Sequence, residues 1–463
     1  MKRLLLPLAA LAMLTASPAL GQAGSCNVIE SRLAQREILN GAPVIRLEGP
    51  FLIRCEGGAE IRALDGTLHE LTNVVELVGN VFFQDPDRTL TADSATYSSR
   101  TGRLYAEGNV VFTNRAEGST LRGPELEYYR ATDERPLSRV LATRRPHLTI
   151  AAESDSAGAE PLELDGDRVT IVGDDDLTAI GDVVIVQAEI RATSDEARYN
   201  GMTEQLDLQG DATVMGEEFE LAGQSIQVDI ANGSLEKVHA ETDAVLTGDD
   251  LEVAAPDLQL FFAADSLQRL VAQGGDGEDA GRAIAVAEAF RLEADSIDAL
   301  LPGQALEQVI AIGNARGEAL DTIAPKPVVI AADSVASSPA AVPPVLANDW
   351  VVGDTIIGFF GLADVATLAP GDTAQTELRK LVASGSAQAL YRTQEESSDE
   401  AGPPGVNYLS GQIIELNFEE GELRLATVTS LRQGLYLEPI PPAPADSAPA
   451  VPGGDVGTEG RSR

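Results

Sequence analysis

The chain has 463 residues, with 33 basic against 73 acidic side chains and a formal charge of -40; hydrophobic residues make up 44% and aromatics only 4%. So acidic a surface excludes a nucleic-acid backbone as partner and opposes simple electrostatic docking on anionic headgroups. With so few aromatics, the core is expected to consist mainly of Ala, Val, Leu and Ile.

Lys2 and Arg3 precede an apolar run from Leu4 to Leu14, followed by small residues through Ser17, Ala19, Gly21 and Ala23. That layout is a secretory signal peptide, so residues 1–23 are expected to be removed and the mature chain to be soluble in the periplasm. The run is shorter than the ~18 to 20 residues that span a bilayer, and no later segment is long and apolar enough. Two cysteines follow, Cys26 and Cys55. An oxidising compartment favours their pairing, which closes a loop of about thirty residues and contributes ~3 kcal/mol. The competing reading is lipidation of Cys26, although Ala23-Gly24-Ser25-Cys26 lacks the usual leading Leu. The cysteines and the scattered His69, His147 and His239 do not have the spacing of a metal site, so no metal and no cofactor are expected.

Self-similarity then organises the chain. A strand motif starting at glycine recurs as Gly79-Asn80-Val81-Phe82-Phe83, Gly108-Asn109-Val110-Val111-Phe112, Gly181-Asp182-Val183-Val184-Ile185 and Gly210-Asp211-Ala212-Thr213-Val214, with weaker copies at Gly313 and Gly385. The first two copies are 29 residues apart, as are the next two, which is the signature of stacked units. In each, the residues two and four after the glycine are apolar, so they share a buried face, and the Asn or Asp is left outside.

A second motif lies between these strands and reads apolar-x-small-x-x-apolar-x-apolar. Its copies are Leu90-Ala92-Ala95-Tyr97, Leu121-Gly123-Leu126-Tyr128, Leu221-Gly223-Ile226-Val228, Val253-Ala255-Leu258-Leu260, Leu292-Ala294-Ile297-Ala299 and Leu409-Gly411-Ile414-Leu416. The three-residue step breaks alternation, and a straight strand would turn half of these residues into water. A bend or bulge beside the small residue resolves the conflict and folds the sheet over on itself. Turns are expected at Asp85-Pro86-Asp87, Arg100-Thr101-Gly102 and Asn232-Gly233-Ser234. The best helix signals, both short, are Leu267 to Ala272 and Ala283 to Ala289. Ala340 to Pro344 and Glu395 to Pro404 read as loops or insertions, and residues 439–463 as a disordered Pro/Ala/Gly-rich tail.

Catalytic signals are missing. Asp174-Asp175-Asp176 and Glu217-Glu218 sit in turn-like polar stretches that read as solvated loops, and no nucleophile triad or phosphate loop stands out. Gly274-Gly275-Asp276-Gly277-Glu278-Asp279 has no tandem copy, which a calcium-binding nonapeptide array requires. The chain is therefore not expected to be an enzyme.

The paired strands around Leu77-Val78-Gly79-Asn80-Val81, Leu90-Thr91-Ala92-Asp93-Ser94-Ala95-Thr96-Tyr97, Leu104-Tyr105-Ala106-Glu107-Gly108-Asn109-Val110 and Leu121-Arg122-Gly123-Pro124-Glu125-Leu126-Glu127-Tyr128 resemble the periplasmic lipopolysaccharide-export bridge proteins, the OstA-like or organic solvent tolerance family. The match is most specific from Val74 to Tyr129 and recurs, diluted, from Leu164 to Leu246 and again from Asp349 to Val428. The resemblance implies an all-β, repeat-built folded antiparallel sheet, a β-jellyroll or β-taco of solenoid-like form with an apolar interior. It implies N-terminal repeats over 24–160, further repeats with loop insertions over 161–438, and transport of lipopolysaccharide or another lipid toward the outer membrane. Partners would be other proteins of the same fold, joined by end-to-end strand pairing. The positions matching the strand motifs are the groove candidates: Val81, Phe83, Leu90, Val110, Phe112, Leu126, Val183, Ile185, Leu208, Val214, Ile226, Val228, Leu258 and Leu260. The alternative is an exported structural or adhesive β-solenoid whose interior is closed and packed.

Overall fold

Alternating apolar and polar residues make strand after strand, and the computed structural model is almost entirely antiparallel β. It describes residues 26–438 except 56–57, 152–159, 217–218, 232–233, 249–250, 264–265, 276–280, 288–289, 321–347, 363–375, 394–404 and 420–421. The leader, the tail, the insertions at Ala340 to Pro344 and Glu395 to Pro404, Asn232-Gly233, Glu217-Glu218 and Asp276 to Asp279 lie outside the described residues. The chain divides into two units, one of residues 1–249 with 256–267, the other of 250–255 with 268–463.

In the first unit the strands are β1 (Cys26–Glu30), β2 (Leu33–Leu39), β3 (Ala42–Cys55), β4 (Glu60–His69), β5 (Val74–Gln84), β6 (Arg88–Ser98), β7 (Arg103–Asn114), β8 (Ser119–Tyr129), β9 (Arg139–Thr143), β10 (His147–Ile150), β11 (Leu162–Asp165), β12 (Arg168–Val172), β13 (Asp176–Gln187), β14 (Ile190–Asn200), β15 (Gln205–Met215), β16 (Phe219–Ala231) and β17 (Ser234–Gly248). Residues 256–263 of β18 (Leu251–Ala263) complete it. From β3 to β8 and from β13 to β17 each strand pairs with the next. Between these runs the kinked strand is cut in two: β8 pairs with both β9 and β10, and β13 with both β11 and β12. β9 pairs with β12 and β10 with β11, so pairing continues on both sides of the cut. β1 and β2 likewise share β3.

Each long strand bends once, and the bend divides the sheet into two walls. Gly79 and Asn80 have φ of 79° and 48°, Gly108 and Asn109 have 78° and 47°, and Gly181 with Asp182 and Gly210 with Asp211 repeat the pair. The registers break at these places, for example between Val78 and Val81 and between Glu107 and Val110. Two consecutive residues in the left-handed region favour glycine, then Asn or Asp, which tolerate it best among residues with a side chain, although Thr242-Asp243 in β17 adopts the same pair without glycine. The strands therefore run through the glycine rather than starting there. On the facing strand the three-residue step keeps both halves inward: Leu90, Ala92, Ala95 and Tyr97 are all buried.

A neighbouring side chain packs into each of these bends, Leu64 at Gly79 and an aspartate at Gly108, Gly181 and Gly210. A Cβ on Gly108 would lie 2.8 Å from the Cβ of Asp93, and Gly181 and Gly210 stand equally close to Asp167 and Asp195. Asn109 Nδ2 donates to Asp93 Oδ2 at 2.9 Å, and the Asp167 amide donates to the Gly181 carbonyl at 2.9 Å.

The second unit holds residues 251–255 of β18 and then β19 (Ser266–Gln273, from 268), β20 (Ala283–Ala287), β21 (Phe290–Ala294), β22 (Ser296–Leu300), β23 (Gln308–Ala319), β24 (Trp350–Leu362), β25 (Thr376–Ser384), β26 (Gln388–Thr393), β27 (Gly405–Ser410), β28 (Ile413–Glu419), β29 (Glu422–Thr429) and β30 (Gln433–Leu437). The same bends recur at Gly313-Asn314 and Gly385-Ser386, packed against Asp295 and Asp354. The two expected helices are strands instead. Leu267 to Ala272 lies in β19, paired with β22, and Ala283 to Ala287 forms β20, paired with β21. Their Ala- and Leu-rich sequences favour helix locally, but flanking strands with unsatisfied ladders impose the extended form.

Cys26 and Cys55 are disulfide-bonded and face each other in the β1/β3 register. The bond occupies the sulfur that lipidation would need and ties an edge strand to the sheet. Reduction is expected to lower stability by about 3 kcal/mol, read as a lower urea midpoint that disappears in a Cys26→Ser/Cys55→Ser variant. Gly108→Ala combines a positive φ with the Asp93 clash, whereas Gly41→Ala meets a φ of 83° with no atom within 4 Å. Thermal melts should show Gly41→Ala losing roughly 1–2 kcal/mol and Gly108→Ala clearly more.

Candidate functional site

Every groove candidate, Val81, Phe83, Leu90, Val110, Phe112, Leu126, Val183, Ile185, Leu208, Val214, Ile226, Val228, Leu258 and Leu260, is buried. They occupy the inward positions of the two walls of the first unit. Val81, Phe83 and Leu90 lie on one side of the bends, as do Val110, Phe112, Val183, Ile185 and Val214. Leu126, Leu208, Ile226 and Val228 lie on the other. What fills the space between the walls changes along the unit.

Over β5 to β8 the filling is aromatic. Phe83 meets Tyr97 with ring centroids 5.6 Å apart and Tyr128 at 6.0 Å, and Phe112 meets Tyr128 at 5.3 Å. In each pair the phenylalanine comes from one wall and the tyrosine from the other. These contacts hold the walls together through the interior, and each adds roughly 0.5–1.5 kcal/mol beyond its buried area.

At the rim of this aromatic section the free edges of the walls are joined by polar side chains. Tyr128 Oη donates to the buried Asp85 Oδ2 at 2.6 Å, and the Arg88 amide donates to Asp85 Oδ1 at 3.1 Å. Arg88 also binds Asp174, Asn114 Nδ2 donates to Asp174 at 3.4 Å, and Arg130 Nε lies 3.8 Å from Asp85. Burial, and then the hydrogen bond to Asp85, hold the Tyr128 phenol above its ordinary pKa. Asp85 and Asp174, which read in the sequence as turn residues, are thus the two acids of a clasp across the opening. Its partners are 43 and 86 residues apart, and no local pattern announces them.

From β13 to β17 the interior changes character. Ala179, Ile185, Ala192, Ala197, Leu208, Val214, Leu221, Ile226, Val238 and Leu246 are among its buried lining, mostly aliphatic and often as small as alanine, with Ser194 buried and Tyr199 and Phe219 half-buried on the same strands. The family match, described as the LptA/(LptD N-terminal domain) LPS transport protein, covers residues 160–234 and so overlaps β11 to β16. That match is consistent with the OstA-like resemblance of the strand motifs. None of the curated proteins matches the chain. The family is generally non-enzymatic and associated with the cell envelope, and the disulfide fits an exported protein.

Metal-ligand geometry converges at one place among the described residues, His239, Glu241 and Asp257, whose ligating atoms lie within 4.8 Å of one another. It lies on the outward face, as His239 alternates with the buried Val238 and Ala240. Sequence reading set the histidines aside because each is isolated along the chain.

The clasp predicts a specific loss. Tyr128→Phe leaves Asp85 buried without its strongest donor and should cost about 1–3 kcal/mol in urea unfolding at neutral pH. A phenol pKa raised by folding also means that stability falls as pH rises above 10.0, the ordinary tyrosine value, and Tyr128→Phe should flatten that alkaline decline.

Proposed function

We propose that this protein is a periplasmic carrier that passes lipopolysaccharide toward the outer membrane, holding acyl chains between the two walls of its folded sheet. The observation that carries this reading is the overlap of the LPS transport match with a section whose buried lining is mainly small and aliphatic. Acyl chains enter such a lining at roughly 0.8 kcal/mol per buried methylene, and near-equivalent sites along the strands let a chain slide without a deep trap. Ile185, Leu208, Val214, Ile226 and Val228 are the contacts assigned to the lipid. Phe83 and Phe112 act as a packed stop. The acidic surface calls for divalent ions to screen phosphorylated sugar heads.

Outer strands of each unit supply the docking sites. In the second unit β29 pairs with β28 and β30 with β27, and Leu425, Leu435, Tyr436 and Leu437 on these strands are about half exposed. In the first unit β1 and β2 carry the exposed Ile29, Leu33 and Ile38. Apolar edge strands invite pairing with another sheet, and the reading assigns that role to proteins of the same fold.

A packed structural solenoid is the second reading, and one observation favours it: the aromatic filling and clasp over β5 to β8. Photo-crosslinking in cells separates the two. A photoreactive residue at Val214 or Ile226 should capture lipopolysaccharide, with Phe83 giving far less. A folded protein that yields no lipid adduct at Val214, Ile226 or Phe83 would establish the solenoid reading instead.

A further inference from the structure

We propose that His239, Glu241 and Asp257 form a zinc-binding site on the outer face of the first unit. His239 Nε2 lies 2.6 Å from Asp257 Oδ2 and 3.8 Å from Glu241 Oε1. His239 and Glu241 are two residues apart on β17, so both project from the same face of the sheet. Asp257, on residues of β18 that belong to the same unit, projects outward between the buried Ala255 and Leu258.

Neighbouring groups orient the three ligands. Gln259 Nε2 donates to Asp257 Oδ1 at 2.9 Å, which leaves Oδ2 facing the imidazole. Ser225 Oγ reaches Glu241 Oε2 at 3.5 Å, which leaves Oε1 on the imidazole side. Lys237, the nearest cation along the strand, has its ammonium over the Phe261 ring, 5.5 Å from the centroid. Hydrogen bonds of this kind fix ligand orientation in metal sites.

The other two histidines provide an internal contrast. His147 stands 3.1 Å from Asp165, an ordinary pair with one carboxylate, and His69 has only Glu76 beside it, 3.3 Å from a buried Nε2 that makes no hydrogen bond. At His239 a second carboxylate joins, and two negative charges with a neutral imidazole match a divalent cation. Zinc bonds of ~2.0–2.2 Å place tetrahedral ligand atoms ~3.3 Å apart, between the two separations present. The nitrogen donor and the small number of protein ligands select zinc over calcium or magnesium, which prefer six or more oxygens. The ion would cross-link β17 to β18 and leave at least one coordination position to water.

The test is calorimetric titration of zinc chloride into the full mature chain, in buffer with millimolar magnesium to occupy carboxylate-only sites. One zinc per chain is expected, with a higher melting temperature on binding. His239→Ala and Asp257→Asn should each weaken zinc at least tenfold, and Glu241→Gln, at a well-exposed position that the fold does not need, should do the same. His147→Ala should bind as the parent does. Absence of a saturable zinc isotherm overturns the site, as does parental affinity in any one of the three ligand variants.

Discussion

The bend at Gly-Asn or Gly-Asp is the constraint on which the rest depends. A strand with one buried face stays flat unless its alternation is interrupted, and a flat sheet would leave its apolar face in water. Two left-handed residues in one strand, opposed by a three-residue step in the next, rotate the second half so that it faces the first. A neighbouring side chain, Leu64 against Gly79, Asp93 against Gly108 or Asp295 against Gly313, occupies the space a side chain would need. Glycine there is favoured by φ and required by the close neighbour. Repeating this device makes two walls and an interior, and burial of aliphatic side chains then stabilises every unit against the one beside it.

The same scaffold is filled differently along its length. Over β5 to β8, rings from both walls interlock and the Asp85, Arg88, Tyr128 and Asp174 clasp joins the edges. Over β13 to β17 the buried side chains are mainly Ala, Val, Leu and Ile. Rigid aromatic packing favours a fixed core, while aliphatic surfaces without interlocking rings accommodate mobile hydrocarbon. The functional reading therefore assigns anchoring to the first section and cargo to the second.

Much of the architecture was legible because it is local. Alternation at Val81 and Phe83 marks a strand, and the step from Ala92 to Ala95 marks the bend within three residues. The helical reading of Leu267 to Ala272 failed because short Ala- and Leu-rich runs satisfy either period, and only the register with β22 decides between them. The clasp was illegible for another reason: Asp85 has the composition of a turn, and its burial depends on Tyr128, far along the chain. His239 and Glu241 share a face by spacing alone, but Asp257 joins them only once the next strand is in place.

Native mass spectrometry of the purified mature chain with added lipopolysaccharide tests the central claim most directly. The account predicts a one-to-one lipid adduct that is lost when Val214→Trp fills the aliphatic section and retained when the exposed Leu425 is replaced by Ser. No adduct, or an adduct that Val214→Trp leaves untouched in a folded protein, would contradict it.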